Sequence, residues 1–204
     1  MQRLGDELGV TPMALYRYFQ NKGELIDGVL DRFVHESAVT DHGRALPWQQ
    51  WVRSTFGAMR SAIVTTPGVL PLLGTASSLG PGAMSVLNEV LEVLRAAGFS
   101  VESATEAFFT LMGFTIGAST LEIAWGRPLE GGSATDRPER LRQVRSKIQS
   151  LSRERFPAIV DAAPQLAAVM ARYPFERDLD RIIAALESEL QPAPDGPHTK
   201  GPAG

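Results

Sequence analysis

Between Thr11 and Lys22 the chain reads TPMALYRYFQNK, and within it Tyr16, Arg17 and Tyr18 stand side by side. These residue types suit the surface of a nucleic acid. An arginine fork can donate two parallel hydrogen bonds to the acceptors of guanine, and apolar groups can meet the thymine methyl. Tyrosine hydroxyls can reach phosphates. Thr11, Pro12 and Met13 open the same segment. Lys22 lies at the start of the following helix, where its charge and the helix N-terminus can both attract a phosphate. Taken alone, Tyr-Arg-Tyr reads better as an ordinary surface helix with one buried aromatic; its setting, Leu-Gly-Val-Thr-Pro before it and Asn-Lys after it, favours contact with DNA.

Other candidate chemistry is sparser. His35 and His42 are spaced to share a helix face, but further ligands at metal-binding spacing are not evident, so exposed or helix-end histidines are expected. Trp48, Trp51, Phe56, Met59, Phe108, Phe109 and Met112 can line a ligand cavity between helices or simply fill a core. Thr115 and Glu122 are polar groups on an apolar helix that can orient a ligand or face solvent. The ligand-binding candidates are therefore Trp51, Phe56, Met59, Phe108, Met112 and Thr115. Gly113 and Gly117 form a Gly-x-x-x-Gly spacing that permits close helix approach, inside one subunit or across a dimer. The run Arg137, Arg140, Arg142, Arg145, Lys147, Arg153 and Arg155 reads better as a solvated helix face than as a second phosphate stripe. No phosphate loop, metal cluster or nucleophile–base set is recognisable, so neither an enzyme nor a cofactor is expected.

The elements that must position these residues are helices. The chain has 204 residues, 44% hydrophobic and 21% charged, enough for a globular protein of one large or two small domains with a real core. A net charge of −3 excludes a polycation that coats nucleic acid, so DNA contact has to come from a local surface. Cysteine is absent, which excludes disulfides and thiolate sites and suits a cytoplasmic location. No apolar run approaches the roughly 18–20 residues of a membrane span, and the N-terminus lacks signal-peptide order. Period-two strands are not evident, and an all-α fold is predicted.

The predicted helices begin with Gln2 to Leu8, ended by Gly9, and a second from the Thr11 cap and Pro12 to about Phe19. Leu4 and Leu8 are expected to pack on Leu15 and Phe19. Asn21-Lys22-Gly23 breaks the second helix, and a third starts near Glu24. Pro47 opens a helix with Trp48, Trp51, Val52, Phe56, Met59 and Ile63 on one side. A short apolar piece follows at Val69 to Leu73, then helices over 83–97, 102–125, 139–150 and 175–190, with a loop from Gly126 to Pro138. The helix near 102–125 is apolar nearly all round, which implies contact on several sides. The tail after Leu190 has no large apolar residue and is expected to be disordered.

The stretch LGVTPMALYRYFQNKGELIDGVL resembles the DNA-binding region of the tetracycline-repressor family of bacterial transcription regulators. PWQQWV, LRAAGFSVESATEAFFTLMGFTIGASTLE and YPFERDLDRIIAALESEL more weakly resemble that family's C-terminal domain. The resemblance implies a helix-turn-helix domain over 1–43, a ligand-binding and dimerisation domain over 44–191, and a tail over 192–204. It implies Gln2, Thr11, Pro12, Met13, Tyr16, Arg17, Tyr18 and Lys22 as DNA-facing residues, with Leu15 and Phe19 as core. It also implies a double-stranded DNA operator, a small-molecule effector, and a homodimer built through the helices near 102–125 and 175–190, with no membrane partner. The histidine-centred magnesium–tetracycline site has no convincing equivalent, so tetracycline itself is not implied.

The family carries a further basic helix ahead of this point. Here Arg3, Arg17, Lys22 and Arg32 are outnumbered by Asp6, Glu7, Glu24, Asp27 and Asp31 over the first 34 residues, a poor balance for binding phosphates. The expectation is that Met1 is an internal methionine of a longer chain. A chain starting there is expected to bind an operator weakly or not at all. Two readings follow: a ligand-responsive regulator, a repressor released from a palindromic operator by a small molecule, or a helical small-molecule-binding protein that has lost DNA binding through truncation.

Overall fold

Capping chemistry sets the first helices. In the computed structural model, which describes residues 2–37, 46–75, 80–126 and 137–190, α1 spans Gln2–Leu8. Gly9 ends it with φ +66°, the Gly9 N–H donating to the Asp6 carbonyl and the Val10 N–H to the Gly5 carbonyl at 2.9 Å. That pair of bonds satisfies carbonyls the helix leaves open, and the left-handed turn favours a residue without a Cβ.

Helix α2 spans Pro12–Tyr16, and the Thr11 hydroxyl accepts the Ala14 N–H at 3.2 Å. It stops short of the predicted Phe19. The Tyr18 and Phe19 N–H groups share the Leu15 carbonyl, at 3.1 and 3.0 Å, the bifurcated pattern of a helix terminus. Helix α3, Lys22–Ser37, starts two residues before its predicted position. Asn21 is a cap and not merely a breaker: its side-chain oxygen accepts the Glu24 N–H at 2.9 Å, while the Glu24 carboxylate accepts the Gln20 N–H. This reciprocal pairing is the logic of a capping box.

Leu15 is buried and Phe19 half-buried, as expected of core residues. A Cβ on Gly28 would lie 3.3 Å from the Phe19 ring, so the turn after α2 packs directly on α3. Leu8 differs from expectation: it is 60% exposed, and Gly5 is instead the buried residue of α1.

The larger part comprises α4 (Trp48–Thr65), a 3-10 turn (Pro67–Val69), α5 (Leu70–Leu73), α6 (Pro81–Ala96), α7 (Val101–Gly126), α8 (Arg137–Gln149), α9 (Pro157–Asp161), α10 (Ala163–Ala171) and α11 (Phe175–Leu190). Strands are absent among the described residues, so the class is all-α. Helix α6 ends at Gly98, φ +105°, and delivers Phe99 edge-on to Trp48 at 5.3 Å. Val52 and Phe56 of α4, Val90 and Leu94 of α6, Leu111 of α7 and Leu179 and Ile183 of α11 are sealed from solvent in one core.

Helix α7 packs against α4, α6, α10 and α11. It is long and apolar enough to cross a membrane by length and composition, contrary to the sequence reading. Its inner side belongs to the core, but Val101, Phe109 and Leu121 lie exposed along it, so this subunit covers only part of its apolar surface. The predicted Asp41-His42-Gly43 break, the 43/44 boundary, most of the loop after Gly126 and the tail lie outside the described residues.

Candidate nucleic-acid interface and effector core

The capped start of α2 and the turn after it present most of the predicted DNA-facing side chains, with Gln2 at the start of α1 and Lys22 at the start of α3. Gln2, Thr11, Met13, Tyr16, Arg17, Tyr18 and Lys22 are all exposed, Met13 at 74% and Tyr18 at 81%. Apolar and aromatic groups this open are costly in water unless something covers them. Pro12 occupies the first helical position, where its missing N–H leaves nothing unsatisfied. The Thr11 hydroxyl is already an acceptor for the cap, so Thr11 orients α2 and keeps its own O–H for an outside acceptor. Arg17 and Tyr18 project from the turn, not from the helix, while Lys22 opens α3. Neither Arg17 nor Lys22 forms an ion pair among the described residues, whereas Arg3 pairs with Glu7 at 3.5 Å.

The predicted ligand-binding residues come together where α4 packs on α7. Trp51, Phe56 and Met59 of α4 and Phe108 of α7 are buried, and Met112 is half-buried against the same core. Phe109 is not among them: it faces outward, edge-on to Phe108 at 5.2 Å. Thr115 is buried, and its hydroxyl donates to the Leu111 carbonyl at 2.7 Å, leaving only acceptor capacity toward the core. Ser119 does the same to the Thr115 carbonyl. Thr55, absent from the sequence-based candidates, is 1% exposed and its hydroxyl has no partner. Its position one turn after Trp51 and one turn before Met59 is the available signal.

Glu122 is held by an ion pair inside the subunit. Arg60 of α4 grips it with two bonds, 2.8 and 2.6 Å, and approaches Glu176 of α11 at 3.7 Å. The Arg60 guanidinium also lies over the Phe175 ring at 5.3 Å, and Phe175 stacks on Phe114 at 5.1 Å. One arginine thus ties α4, α7 and α11 together. Nearby, burial and then the Asp178 charge push the Tyr173 phenol above its usual range. A Cβ on Gly113 or Gly117 would meet nothing within 4 Å, so the Gly-x-x-x-Gly spacing does not serve packing inside this subunit. On α8, which packs on α10, Val144 is buried, Arg142 pairs with Glu139 at 2.6 Å, and Arg145 and Lys147 face solvent.

A short helix-turn-helix with open polar and aromatic side chains, joined to a helical bundle with an apolar centre, defines a DNA-binding regulator with an effector core. Residues 44–190 match the family model described as tetracyclin repressor-like, C-terminal domain, and the chain belongs to the tetracycline-repressor family of ligand-responsive DNA-binding transcriptional regulators. It is 28% identical over 191 residues to the HTH-type transcriptional repressor DrrR1 of Streptomyces coeruleorubidus, covering 92% of this chain and 69% of that one. It is 29% identical to the tetracycline repressor protein class A from transposon 1721 of Escherichia coli, over 91% of this chain and 79% of the repressor. Its fold is that of the Streptomyces coelicolor protein ActR in the crystal structure with actinorhodin, at TM-score 0.75, 23% identity, and coverage of 93% and 87%.

Proposed function

We propose that the chain acts as a cytoplasmic homodimeric repressor that leaves a palindromic operator when a small molecule enters its core. The carrying observation is the uncovered edge Met13, Tyr16, Arg17 and Tyr18 behind the Thr11 cap. In this reading Gln2, Thr11, Pro12, Met13, Tyr16, Arg17, Tyr18 and Lys22 meet the duplex, and the effector lies among Trp51, Phe56, Met59, Phe108, Met112 and Thr115. Residues 1–43 serve as the DNA-reading unit and 44–191 as the effector and dimer unit. The outward face of α7 and helix α11 form the subunit interface. Phe109, Leu121 and the open space at Gly113 and Gly117 support the α7 half of that statement.

The effector core favours a largely uncharged ligand. The buried polar groups around it are hydroxyls, Thr55, Thr115 and Ser119, and no buried ionisable side chain lies in the core among the described residues. An ion placed there would lose its hydration without a countercharge. The structural neighbour ActR is in complex with actinorhodin in its crystal structure.

The mechanism is a population shift: the ligand favours the form whose paired α2 elements no longer fit successive major grooves. A coupling of roughly 1–3 kcal/mol changes operator affinity about 5–150-fold. The test is selection of bound duplexes from a random library, followed by footprinting. A palindromic site protected on two successive grooves supports the reading. Failure to enrich any duplex supports the second reading, a ligand-binding protein without DNA binding, which the acidic balance of α1 to α3 favours.

A further inference from the structure

The N-terminus of α6 receives a side chain from the DNA-reading half. The Asp31 carboxylate, on α3, accepts the Ala83 backbone N–H at 2.9 Å across 52 residues of sequence. Helix α6 opens with Gly80, Pro81, Gly82 and Ala83, and its own cap position offers no side-chain acceptor. Asp31 therefore supplies from another helix what serine, threonine or asparagine usually supplies locally. A carboxylate at this end also complements the helix dipole.

Two glycines make the approach possible. A Cβ on Gly80 would overlap the Asp31 side chain. One on Gly82 would stand 2.9 Å from the Asp31 carbonyl oxygen and 3.0 Å from the His35 Cβ. Neither glycine has a positive φ, so closeness and not backbone conformation is what they provide. At Gly82 the obstacle is the backbone of α3, so an added methyl forces the helix itself to move.

We propose that Asp31, seated between Gly80 and Gly82, is the positioning residue that fixes the direction of the DNA-reading helices on the effector core. This rests on the regulator reading above. Phe19 packs on Gly28 of α3, so a tilt of α3 passes to the Tyr16–Tyr18 edge. Leu30, Ile26, Phe33 and Val34 pack α3 on the core without fixing its direction, whereas the bond from the Ala83 N–H at the start of α6 is directional and is either kept or lost when α6 shifts.

The test uses the whole chain. Asp31→Leu removes the acceptor, Asp31→Asn keeps an acceptor oxygen without charge, and Gly82→Ala displaces α3 with Asp31 intact. Hydrogen exchange at the Ala83 amide is expected to rise about tenfold or more in Asp31→Leu and Gly82→Ala, and by less than about threefold in Asp31→Asn, with α4, α7 and α11 unchanged. Affinity for a duplex selected by the wild-type chain is expected to fall about fivefold or more in the first two variants and to recover in the asparagine variant. Unchanged Ala83 exchange in both Asp31→Leu and Gly82→Ala overturns the joint. Faster exchange with unchanged duplex affinity overturns its positioning role. If the wild-type chain selects no duplex, the regulator reading fails. The joint is then judged by whether faster exchange spreads from Ala83 through α3 into the Leu15–Phe19 turn; confinement to Ala83 overturns it.

Discussion

Single side chains carry two tests. Thr115 and Ser119 turn their hydroxyls back to carbonyls of their own helix, but the equally buried Thr55 hydroxyl has no partner. A buried hydroxyl without a bond costs about 1–3 kcal/mol, so Thr55→Val, which keeps the shape, is expected to raise unfolding stability by roughly 1 kcal/mol or more. The urea midpoint of the ligand-free protein measures it. A lowered midpoint would show that an internal water satisfies Thr55 instead. Arg17 is exposed and in no ion pair among the described residues, which leaves its fork available to a duplex. Arg17→Ala is expected to lose ~1–3 kcal/mol on the selected site with relaxed specificity at one base pair if it reads guanine. If it holds a phosphate, the loss is uniform across sequences and the salt slope flattens by about one. Unchanged affinity removes Arg17 from the interface.

At the scale of elements, local signals are legible in the sequence and distant ones are not. Gly9, the Thr11–Pro12 step and Gly98 announce helix ends because capping is settled within a few residues. The α4 stripe of Trp51, Val52, Phe56, Met59 and Ile63 announces its buried face by spacing alone. Asn21 is legible as a boundary but not in its role, since an asparagine can stop one helix or start the next. The early end of α2 is hidden because Arg17, Tyr18 and Phe19 all tolerate helix, and the bifurcated bond at the Leu15 carbonyl that marks the end has no residue-type signature. Partners 52 and 62 residues apart, Asp31 with Ala83 and Arg60 with Glu122, leave no trace in any local window. Gly9→Ala tests the legible kind: forcing a Cβ into φ +66° is expected to cost roughly 1–2 kcal/mol, read as a lower thermal midpoint. Phe175→Ala tests the hidden kind. It removes the ring between Arg60 and Phe114, and a loss of about 3–5 kcal/mol is expected in chemical denaturation. A loss under about 1 kcal/mol would mean that the α4–α7–α11 junction does not depend on that ring.

The whole molecule has an imbalance that one subunit does not resolve. Helix α7 forms the centre of the core, yet Phe109 is 65% exposed, and Val101 and Leu121 are exposed further along the same helix. Gly113 and Gly117 leave that side flat enough for another helix to approach. Covering this face with a second copy removes the exposed apolar groups and also sets two α2 elements at a fixed separation. A single α2 has few residues to reach bases, whereas two held about 34–36 Å apart can read both halves of a palindrome. Linking two weak contacts in this way raises affinity on the order of 10²–10⁴-fold without any new contact to DNA. Phe109→Asp places a charge in the centre of that face while leaving the buried Phe108 in place. The wild-type chain is expected to sediment at twice its 22.1 kDa mass, and the variant at 22.1 kDa with the same helical circular dichroism. Duplex affinity is expected to fall by about the same 10²-fold or more, with footprinting reduced to one half-site. A wild-type chain that sediments as a monomer at micromolar concentration, or a variant that remains a dimer, would remove α7 from the interface and with it the geometric basis for reading a palindrome.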